Sequence, residues 1–528
     1  MKGLSGNGVI PQFFNQMSDI QSNNKRILRN TFMLYIRMFV MMGIGLYTSR
    51  VILNALGISD YGLYNVTSSV VTMFSFLTTT LASGTQRFLS FAIGKKEDNY
   101  IRSVFANAIT LHVILAVVIF ILSETIGLWY VHTRLVVEDG RFVAALWCYH
   151  LSVVAAVVSI VQIPFNSALI AHEKMDVYAY MSIFDAVFKL LAAYLITVIL
   201  YDRLIFYSIF VLIVGLLSTL IYNWYCRKHY SECRFRFGYD KVIFNDMLSF
   251  SGWNMFGCVA VMGQSTGVNL VINAFCGTIV NGSRAIAFQV NSMVVRFIEN
   301  FQVALNPQIV KYYADRDIVN MERLVIRGAY LSSYLFLFLA IPLFVECEYV
   351  ISLWLGSCPT YVVPFVQIVL VESFFKTMGN PTITAISATG KMKMNQLTAG
   401  IIQLLVLPIC YLLFKHSVNP VVAIAICTFP WLIVIPVRLY WCKRYSGMYM
   451  KQFMIKVYFK IPILAVLMML PPYLLHLYFP YVGFLRFMCV GLTSVIASVI
   501  IIYNFGLELD VRSALTNKIQ SITKVSHP

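Results

Sequence analysis

Long apolar runs alternate with short polar segments along almost the whole of this 528-residue chain. Each run has about 18 residues or more, which is enough for a helix to cross a hydrocarbon core about 30 Å thick. The pattern predicts an all-α integral membrane protein with about 14 transmembrane helices. Their predicted bounds are 32–56, 63–93, 103–130, 143–171, 177–200, 204–225, 247–275, 279–306, 328–355, 361–389, 395–414, 419–441, 452–479 and 481–504.

The composition agrees with a membrane protein and accounts for the positive charge. Hydrophobic residues make up 59% of the chain and charged residues 12%, whereas soluble proteins carry about 25% charged residues. A net charge of +17 is compatible with nucleic-acid binding, but most Lys and Arg residues fall in alternate inter-helix segments. The other side carries few, namely Arg134, Arg141, Arg203, Lys415 and Arg486. Cytosolic segments are enriched in Lys and Arg, so both termini are predicted to be cytosolic, with no nucleic-acid partner.

Two segments of the chain repeat each other. "PFNSALIAHEKM" begins at Pro164 and "PTITAISATGKM" begins at Pro381, and without gaps they share the proline, both alanines, the lysine and the methionine. Weaker similarity links "LNALGISDYG" with "INAFCGTIVNG" and "LASGTQ" with "VALNPQ", at the same offset of six helices. An even offset gives both halves the same orientation, so we expect two parallel six-helix lobes with the substrate site between them.

The repeat and the loops predict the division of the chain. The segments are a cytosolic N-terminal segment (1–31), an N-lobe (32–225), a basic cytosolic loop (226–246), a C-lobe (247–441), two extra C-terminal helices (452–504) and a cytosolic tail (505–528). The polar residues 1–31 show no pattern of a cleaved signal peptide. The basic loop could contact anionic lipid or a partner, or serve only to set the topology.

Charged residues inside apolar runs are the main candidates for function, because inserting one costs roughly 2.5–3.5 kcal/mol. We identify eight basic residues inside spans: Arg37, Arg50, Arg87, Lys189, Arg284, Arg296, Lys376 and Lys460. Three have an acidic residue one helical turn away, in the pairs Asp185–Lys189, Arg296–Glu299 and Glu372–Lys376. These pairs could neutralise themselves to ease insertion, or they could serve function.

The remaining cations divide by depth. Arg37 and Lys460 lie near cytosolic ends, where their side chains can reach the headgroups. Arg50 and Arg284 near outer ends, and Arg87 beside Gln86, are expected to line a polar cavity. With Arg296, Lys189 and Lys376 they would form a pathway of positive charge suited to a phosphate or diphosphate. Asn254 is among the neutral polar residues that could bind hydroxyl-rich groups or, equally, bond neighbouring helices.

The end of the first span resembles the opening of the bacterial polysaccharide flippases. The motif is an Arg followed by "xxLxxLGxxxYGxY", here Arg50, Leu53, Leu56, Gly57, Tyr61, Gly62 and Tyr64. This family comprises the Wzx-type exporters of lipid-linked O-antigen and capsule oligosaccharides. Its superfamily also holds the multidrug and toxin extruders and the lipid II flippases. The fourteen spans and the six-plus-six repeat are similar to that superfamily.

The resemblance implies a transporter of the bacterial inner membrane that alternates between inward- and outward-open forms. The substrate would be an oligosaccharide on undecaprenyl diphosphate, moved from the cytosolic to the periplasmic leaflet, and a polymerase or glycosyltransferases are conceivable partners. Family cavities are lined with Arg and Lys, a role that we match to Arg50, Arg87, Arg284 and Arg296. No cofactor is expected, although H⁺ or Na⁺ coupling is left open. The acids that could carry it are Glu299, Asp185, Glu372 and Glu124.

Other functions fit the residues less well. A multidrug extruder of the same fold moves cations and should need unpaired acids at depth, whereas this chain has more bases there. A major-facilitator transporter would need a loop signature that "GKKEDN" at 94–99 hardly matches. A membrane glycosyltransferase, ligase or polymerase would need a larger outer loop with catalytic groups. No nucleotide-binding or metal-binding motif is present, so the sequence argues against an enzyme.

Overall fold

The computed structural model of the protein is helical, and its described part contains no strand. It describes residues 29–45, 47–48, 50–52, 54–57, 60, 63–64, 67, 75–134, 140–199, 201–355, 358–426, 428–479, 483–508 and 512–513. Most of the predicted N-terminal segment and of the C-terminal tail therefore lie outside the described residues. The same is true of Leu53, Tyr61 and Gly62 of the motif that follows Arg50.

The described residues of the first half of the chain form eight helices, of which the eighth is the longest. They are α1 (Arg29–Gly57), α2 (Ser75–Lys95), α3 (Asp98–Leu122), α4 (Leu128–Arg134), α5 (Phe142–Ala171), α6 (Met175–Val198), α7 (Arg203–His229) and α8 (Lys241–Ala314). A π-helical turn, Ser123–Gly127, joins α3 to α4. Asp202 and Asp240 cap α7 and α8, because their carboxylates accept hydrogen bonds from the free N–H groups of each first turn.

The second half is built from shorter helices. They are α9 (Ile318–Val345), α10 (Cys347–Leu355), α11 (Val362–Ala388), α12 (Lys393–Leu404), α13 (Val406–Lys415), α14 (Pro420–Ile426), α15 (Phe429–Ser446), α16 (Lys451–Phe453), α17 (Lys460–Tyr478) and α18 (Phe484–Ile501). Two further π-helical segments, Met454–Phe459 and Ile502–Gly506, precede α17 and follow α18.

Twelve helices of the described chain are long and apolar enough to cross a membrane, so the predicted count of fourteen is not reproduced. The two predicted spans without a counterpart are 63–93 and 279–306, which correspond to α2 and to the second half of α8. Both are helical but interrupted by polar residues, such as Thr85, Gln86 and Arg87 in α2. These two helices hold equivalent places in the predicted repeat, as the second helix of each lobe.

The 74-residue helix α8 is not one straight rod. Arg284 NH1 donates a hydrogen bond of 3.4 Å to the carbonyl of Ser265, nineteen residues earlier. In a straight helix, nineteen residues would separate these groups by roughly 28 Å along the axis. The chain must therefore reverse between them, as expected from the sequence between predicted spans 247–275 and 279–306.

The two copies of the repeat have the same local structure. Pro164 and Pro381 lie inside α5 and α11, and each helix ends seven residues later, at Ala171 and Ala388. Nine residues after each proline the backbone adopts a left-handed conformation, with φ of 61° at Glu173 and 78° at Gly390. Equivalent positions in the two copies thus end a helix and turn the chain in the same way.

The chain divides into two compact units. Unit 1 comprises Met1–Val259, Val303–Asp317 and Gly390–Lys393, and unit 2 comprises Ala260–Gln302, Ile318–Thr389 and Met394–Pro528. Within unit 1, one core cluster joins Ile52 and Ala55 of α1 to buried residues of α6 and α7. Within unit 2, a core cluster joins Ala399 of α12 to Trp431 and Val434 of α15.

Buried and half-buried ion pairs fix the ends of helices in each unit. In unit 1, Arg141 pairs at 2.5 Å with both Asp60 and Asp202. In unit 2, Glu508 pairs with Arg327 at 3.1 Å and with Lys456 at 2.8 Å, which ties the chain beyond α18 to α9.

Candidate functional site

A polar groove in unit 1 surrounds Arg50. Its volume is about 530 Å³, and it is lined by Tyr47, Arg50, Val51, Asn54, Ala55, Tyr194, Thr197 and Arg203. The groove lies where the C-terminal ends of α1 and α6 meet the first residue of α7. The helical period explains its polarity, because Ile52 and Ala55 face the core while Arg50 and Asn54 are exposed on another face of α1.

The two arginines of the groove differ in what holds them. Arg203 NH1 donates a hydrogen bond of 3.0 Å to the carbonyl of Ala55, near the end of α1, where carbonyl groups lack helical partners. Arg50 makes no hydrogen bond or ion pair with any residue that the structure describes. The hydroxyls of Tyr47 and Tyr194 bond to each other at 2.5 Å and close one side of the groove. The groove therefore offers guanidinium and hydroxyl groups that an anion could bind.

Two described acids at this end of unit 1 lie outside the lining of the groove. Asp60 and Asp202 are both engaged by Arg141, which forms two bonds to each carboxylate. Arg141 offsets one of these two negative charges, and neither carboxylate lines the groove that contains Arg50 and Arg203. Of the groove residues, the sequence analysis identified Arg50 and, among the neutral polar residues, Asn54. The sequence analysis assigned Arg203 to an outer loop. The one sequence feature that could have indicated its position is that it directly follows Asp202, the residue that caps α7.

Arg87 is buried in unit 1 among aromatic rings. Its guanidinium carbon lies 4.4 Å from the ring centre of Phe88, 5.1 Å from Phe91 and 5.7 Å from Phe250. Such placements are favourable because a cation is attracted to the face of an aromatic ring. The α11–α12 turn also approaches closely, since a Cβ atom on Gly390 would stand 2.9 Å from Arg87 NH2. Its role in binding a substrate stays a prediction.

Two neutral candidates also lie in unit 1. Gln86 is half-buried beside Arg87 on α2, and Asn254 is buried on the first part of α8. Their roles in binding a substrate also remain predictions.

Arg284 is buried in unit 2 and spans the reversal in α8. Its NH1 donates hydrogen bonds to Asn269 Oδ1 and to the Ser265 carbonyl, and its guanidinium lies 4.6 Å from the ring centre of Phe288. Arg284 thus joins the two arms of the helix. Its predicted contact with a substrate stays a prediction.

Of the three predicted ion pairs, only Asp185–Lys189 forms. Lys189 Nζ is 2.7 Å from Asp185 Oδ2, and Ser218 Oγ donates to the other carboxylate oxygen at 3.3 Å. The predicted Arg296–Glu299 pair is wrong for this conformation, since both side chains are exposed and no ion pair joins them in the described chain.

The predicted Glu372–Lys376 pair is also replaced, here by contacts with Trp431. The indole Nε1 donates a hydrogen bond of 3.2 Å to Glu372 Oε1, and Lys376 Nζ lies 6.0 Å from the ring centre. One indole thus serves the acid through its N–H and the base through its π face.

Arg438 joins the same cluster and was missed in the sequence. Its guanidinium lies 5.2 Å from the ring centre of Trp431, it is 6% exposed, and its Nε and NH1 have no hydrogen-bond partner in the described chain. The sequence analysis counted Arg438 with the basic cytosolic end of span 419–441. Its position inside that span was the signal that could have identified it.

Glu124 is paired with a histidine in unit 1. Its Oε1 is 3.0 Å from His150 Nδ1, and the π-helical turn that contains Glu124 directs it towards α5. Tyr149 donates a hydrogen bond of 2.5 Å to the carbonyl of Ser123 in the same turn.

Solved transporters share this fold. An outward-facing multidrug resistance MATE family transporter of the MOP superfamily matches with a TM-score of 0.67 and 14% identity, over 80% of this chain and 96% of that chain. A MATE structure in the bent conformation matches with a TM-score of 0.66 and 15% identity, over the same shares. A third, with a TM-score of 0.65, 14% identity and the same shares, is reported as "Reverse polarity of binding pocket suggests different function of a MOP superfamily transporter from Pyrococcus furiosus". The protein is therefore a multi-pass helical membrane protein with a MATE-like transporter fold.

The family described as "Polysaccharide biosynthesis protein" matches residues 27–313, which is more than half of the chain. The chain belongs to this family, and the predicted resemblance is confirmed. No curated protein matches the chain.

Proposed function

We propose that this protein is a flippase that moves an oligosaccharide on undecaprenyl diphosphate from the cytosolic to the periplasmic leaflet, for cell-surface polysaccharides such as O-antigen or capsule. Family membership supports a role in polysaccharide biosynthesis. The observation that carries the proposal is the groove of about 530 Å³ around Arg50, with a second arginine and two tyrosines. A groove of this chemistry suits a diphosphate and the sugars next to it.

The groove would act by binding and charge compensation. A diphosphate is strongly hydrated, and entering a membrane protein requires replacing that hydration with hydrogen-bond donors of the protein. Guanidinium groups do this well, because their paired N–H donors match two phosphate oxygens. Arg50 would make the first contact and Arg203 the second, while Tyr47, Asn54 and Tyr194 would bind hydroxyl groups of the sugar.

Alternating access requires no covalent chemistry on the substrate. The driving force would come from an ion gradient, the membrane potential or downstream use of the product. For H⁺ or Na⁺ coupling, Glu372 beside Trp431 is the best-supported candidate of the four proposed acids, because its predicted lysine partner does not pair with it and, unlike Glu299, it is half-buried. We further propose the bacterial inner membrane with both termini cytosolic, from the distribution of Lys and Arg.

The test uses full-length protein in liposomes. One assay follows an undecaprenyl-diphosphate glycan between leaflets, and a parallel assay follows efflux of a cationic dye. Arg50→Gln and Arg203→Gln are compared with Lys415→Gln, which removes an exposed cation outside the groove.

We expect the wild type to flip the glycan and the Lys415→Gln control to flip it at the same rate. Each groove variant should flip it about tenfold more slowly or worse, because each removes a charge-assisted contact of about 1.5–3 kcal/mol. Dye efflux without glycan flipping would replace the proposal with drug export. Equal flipping by all three variants would remove the groove from the mechanism.

A further inference from the structure

The loop between α7 and α8 is folded against α3 in unit 1. Thr110 Oγ1 donates to the Gly238 carbonyl at 2.9 Å and accepts from the Gly238 amide at 3.2 Å. The Asp240 amide donates to Asn107 Oδ1 at 3.0 Å. A Cβ atom on Gly238 would stand 2.6 Å from Ala106 Cβ, so only glycine permits this close approach. The loop between α7 and α8 is therefore held in a defined conformation by its packing against α3.

A second set of contacts fixes the start of the same loop. His172 Nε2 is 2.7 Å from Glu232 Oε1, and the His172 ring stacks on Tyr230 with 4.0 Å between ring centres. Burial raises the pKa of the Glu232 carboxyl, but the hydrogen bond from His172 and the charges of His172 and Arg102 outweigh it, so the pKa lies below its usual value. Glu232 therefore stays ionised at neutral pH and keeps its contact with His172.

This folded loop forms a basic pocket. The pocket has a volume of about 460 Å³ and is lined by Arg102, Ser103, Ala106, Ser231, Glu232, Arg234, Arg236, Phe237 and Gly238. Arg102 NH2 donates to Ser231 Oγ at 3.5 Å. Three guanidinium groups thus surround one cavity, and the single carboxylate there is held by His172. Such a pocket has the donors and the charge to bind phosphate oxygens.

Exposed aromatic residues accompany the arginines. Phe235, Phe237 and Tyr239 are 39%, 61% and 67% exposed, and they alternate with Arg234, Arg236 and Gly238. Aromatic residues gather where membrane meets water, and basic residues just outside a membrane helix attract anionic lipid. A site for a free, soluble phosphate would have no need of exposed aromatic side chains.

We propose that the pocket formed by Arg102, Arg234 and Arg236 binds the phosphate of an anionic phospholipid headgroup, on the face that the sequence assigns to the cytosol. Phe235, Phe237 and Tyr239 enter the interfacial layer beside the bound lipid. This site is separate from the groove at Arg50, and the proposal does not depend on which substrate the protein transports.

The experiment measures lipid binding to full-length protein in neutral detergent by native mass spectrometry. Dioctanoyl phosphatidylglycerol is compared with dioctanoyl phosphatidylcholine, which has the same chains but no net charge. Arg234→Gln/Arg236→Gln removes two pocket charges, and Arg227→Gln/Lys228→Gln removes two charges just before the loop, outside the pocket. Gly238→Ala keeps every charge but disturbs the contact between the loop and α3.

We expect saturable binding of phosphatidylglycerol to the wild type and weaker binding of phosphatidylcholine. The pocket variant should bind about 30-fold more weakly, as expected for two basic side chains near an anionic lipid. The control variant should change by less than about threefold. Gly238→Ala should also weaken binding, which a diffuse surface charge would not explain.

Four results would overturn the proposal. Equal losses in the pocket and control variants would indicate a general basic surface, as would unchanged binding in Gly238→Ala. Inorganic phosphate that displaces the lipid at similar concentration would indicate a soluble phosphate site. Preferred binding of undecaprenyl diphosphate would assign the pocket to that lipid instead. Each variant must first show the same thermal unfolding profile as the wild type. If a loop variant unfolds differently, Arg102→Gln takes its place, because Arg102 lies on helix α3 and not in the loop.

Discussion

The buried pair between Glu173 and Lys311 should make a measurable contribution to stability within unit 1. Glu173 Oε1 is 2.6 Å from Lys311 Nζ, and Glu173 Oε2 accepts a hydrogen bond of 2.5 Å from Gln308 Nε2. The side chain of Glu173 is 3% exposed and that of Lys311 18%. Breaking a buried pair by removing one partner costs about 3–5 kcal/mol, because the other charge is left without compensation. We expect about 3 kcal/mol for Lys311→Met, since Gln308 continues to donate to the carboxylate.

The assay is the free energy of unfolding in mixed micelles, followed by tryptophan fluorescence as denaturing detergent is added. Lys241→Met is the matched control, because Lys241 is exposed at the other end of α8, and it should change the free energy by less than about 0.5 kcal/mol. In a double-mutant cycle with Glu173→Gln, the coupling energy should be about 1–3 kcal/mol. Wild-type stability in Lys311→Met, or additive effects in the double variant, would refute the reasoning.

Three further predictions concern other contacts. Trp431→Phe should lower the free energy of unfolding by about 1–3 kcal/mol, because it keeps an aromatic ring but removes the indole N–H that donates to Glu372. A variant as stable as the wild type would disprove the role of this bond. Gly94→Ala should destabilise unit 1 by about 1–3 kcal/mol, since its Cβ would stand 2.6 Å from Ala314 Cβ and 3.2 Å from the Lys311 backbone, and a variant as stable as the wild type would exclude a clash. Burial raises the pKa of the Glu508 carboxyl, but its basic partners outweigh burial and hold the pKa below its usual value. The stabilisation by Glu508 is therefore present above about pH 4.5 and lost as the pH falls through the lowered pKa. The difference in unfolding free energy from Glu508→Gln should be constant between about pH 5 and 8, and a difference that shrinks within that range would contradict the assignment.

The sequence predicted the helices well because each span must be apolar over a fixed length. Twelve of the fourteen predicted spans have a strongly apolar helix in the described chain, and the other two, in α2 and the second arm of α8, contain more polar residues. The repeat was also visible, because the proline and the turn that follows it depend on local backbone geometry. The equivalent left-handed residues, Glu173 and Gly390, show how far that local signal extends.

The contacts of the candidate residues were harder to predict. Helical spacing put Glu372 next to Lys376 but could not reveal that Trp431, 59 residues later, would take both partners. The groove at Arg50 depends on Arg203, which lies far along the chain and meets α1 only through the packing of three helices. Spacing along one helix shows which of its own side chains could pair. The tertiary structure shows which groups of other helices bind those side chains instead.

The turns at Glu173 and Gly390 bear on how the chain came to be made of two similar halves. A protein built from two identical copies would carry one residue type at both turns. Glutamate at both would bring a carboxylate to the aromatic surroundings of Arg87, whereas glycine at both would leave Lys311 without its anion. A Cβ atom at position 390 would also stand 2.9 Å from Arg87 NH2, closer than such atoms pack. The two turns therefore share one backbone conformation while each side chain suits its own neighbours, so the internal symmetry of the chain extends to its backbone and not to its charges.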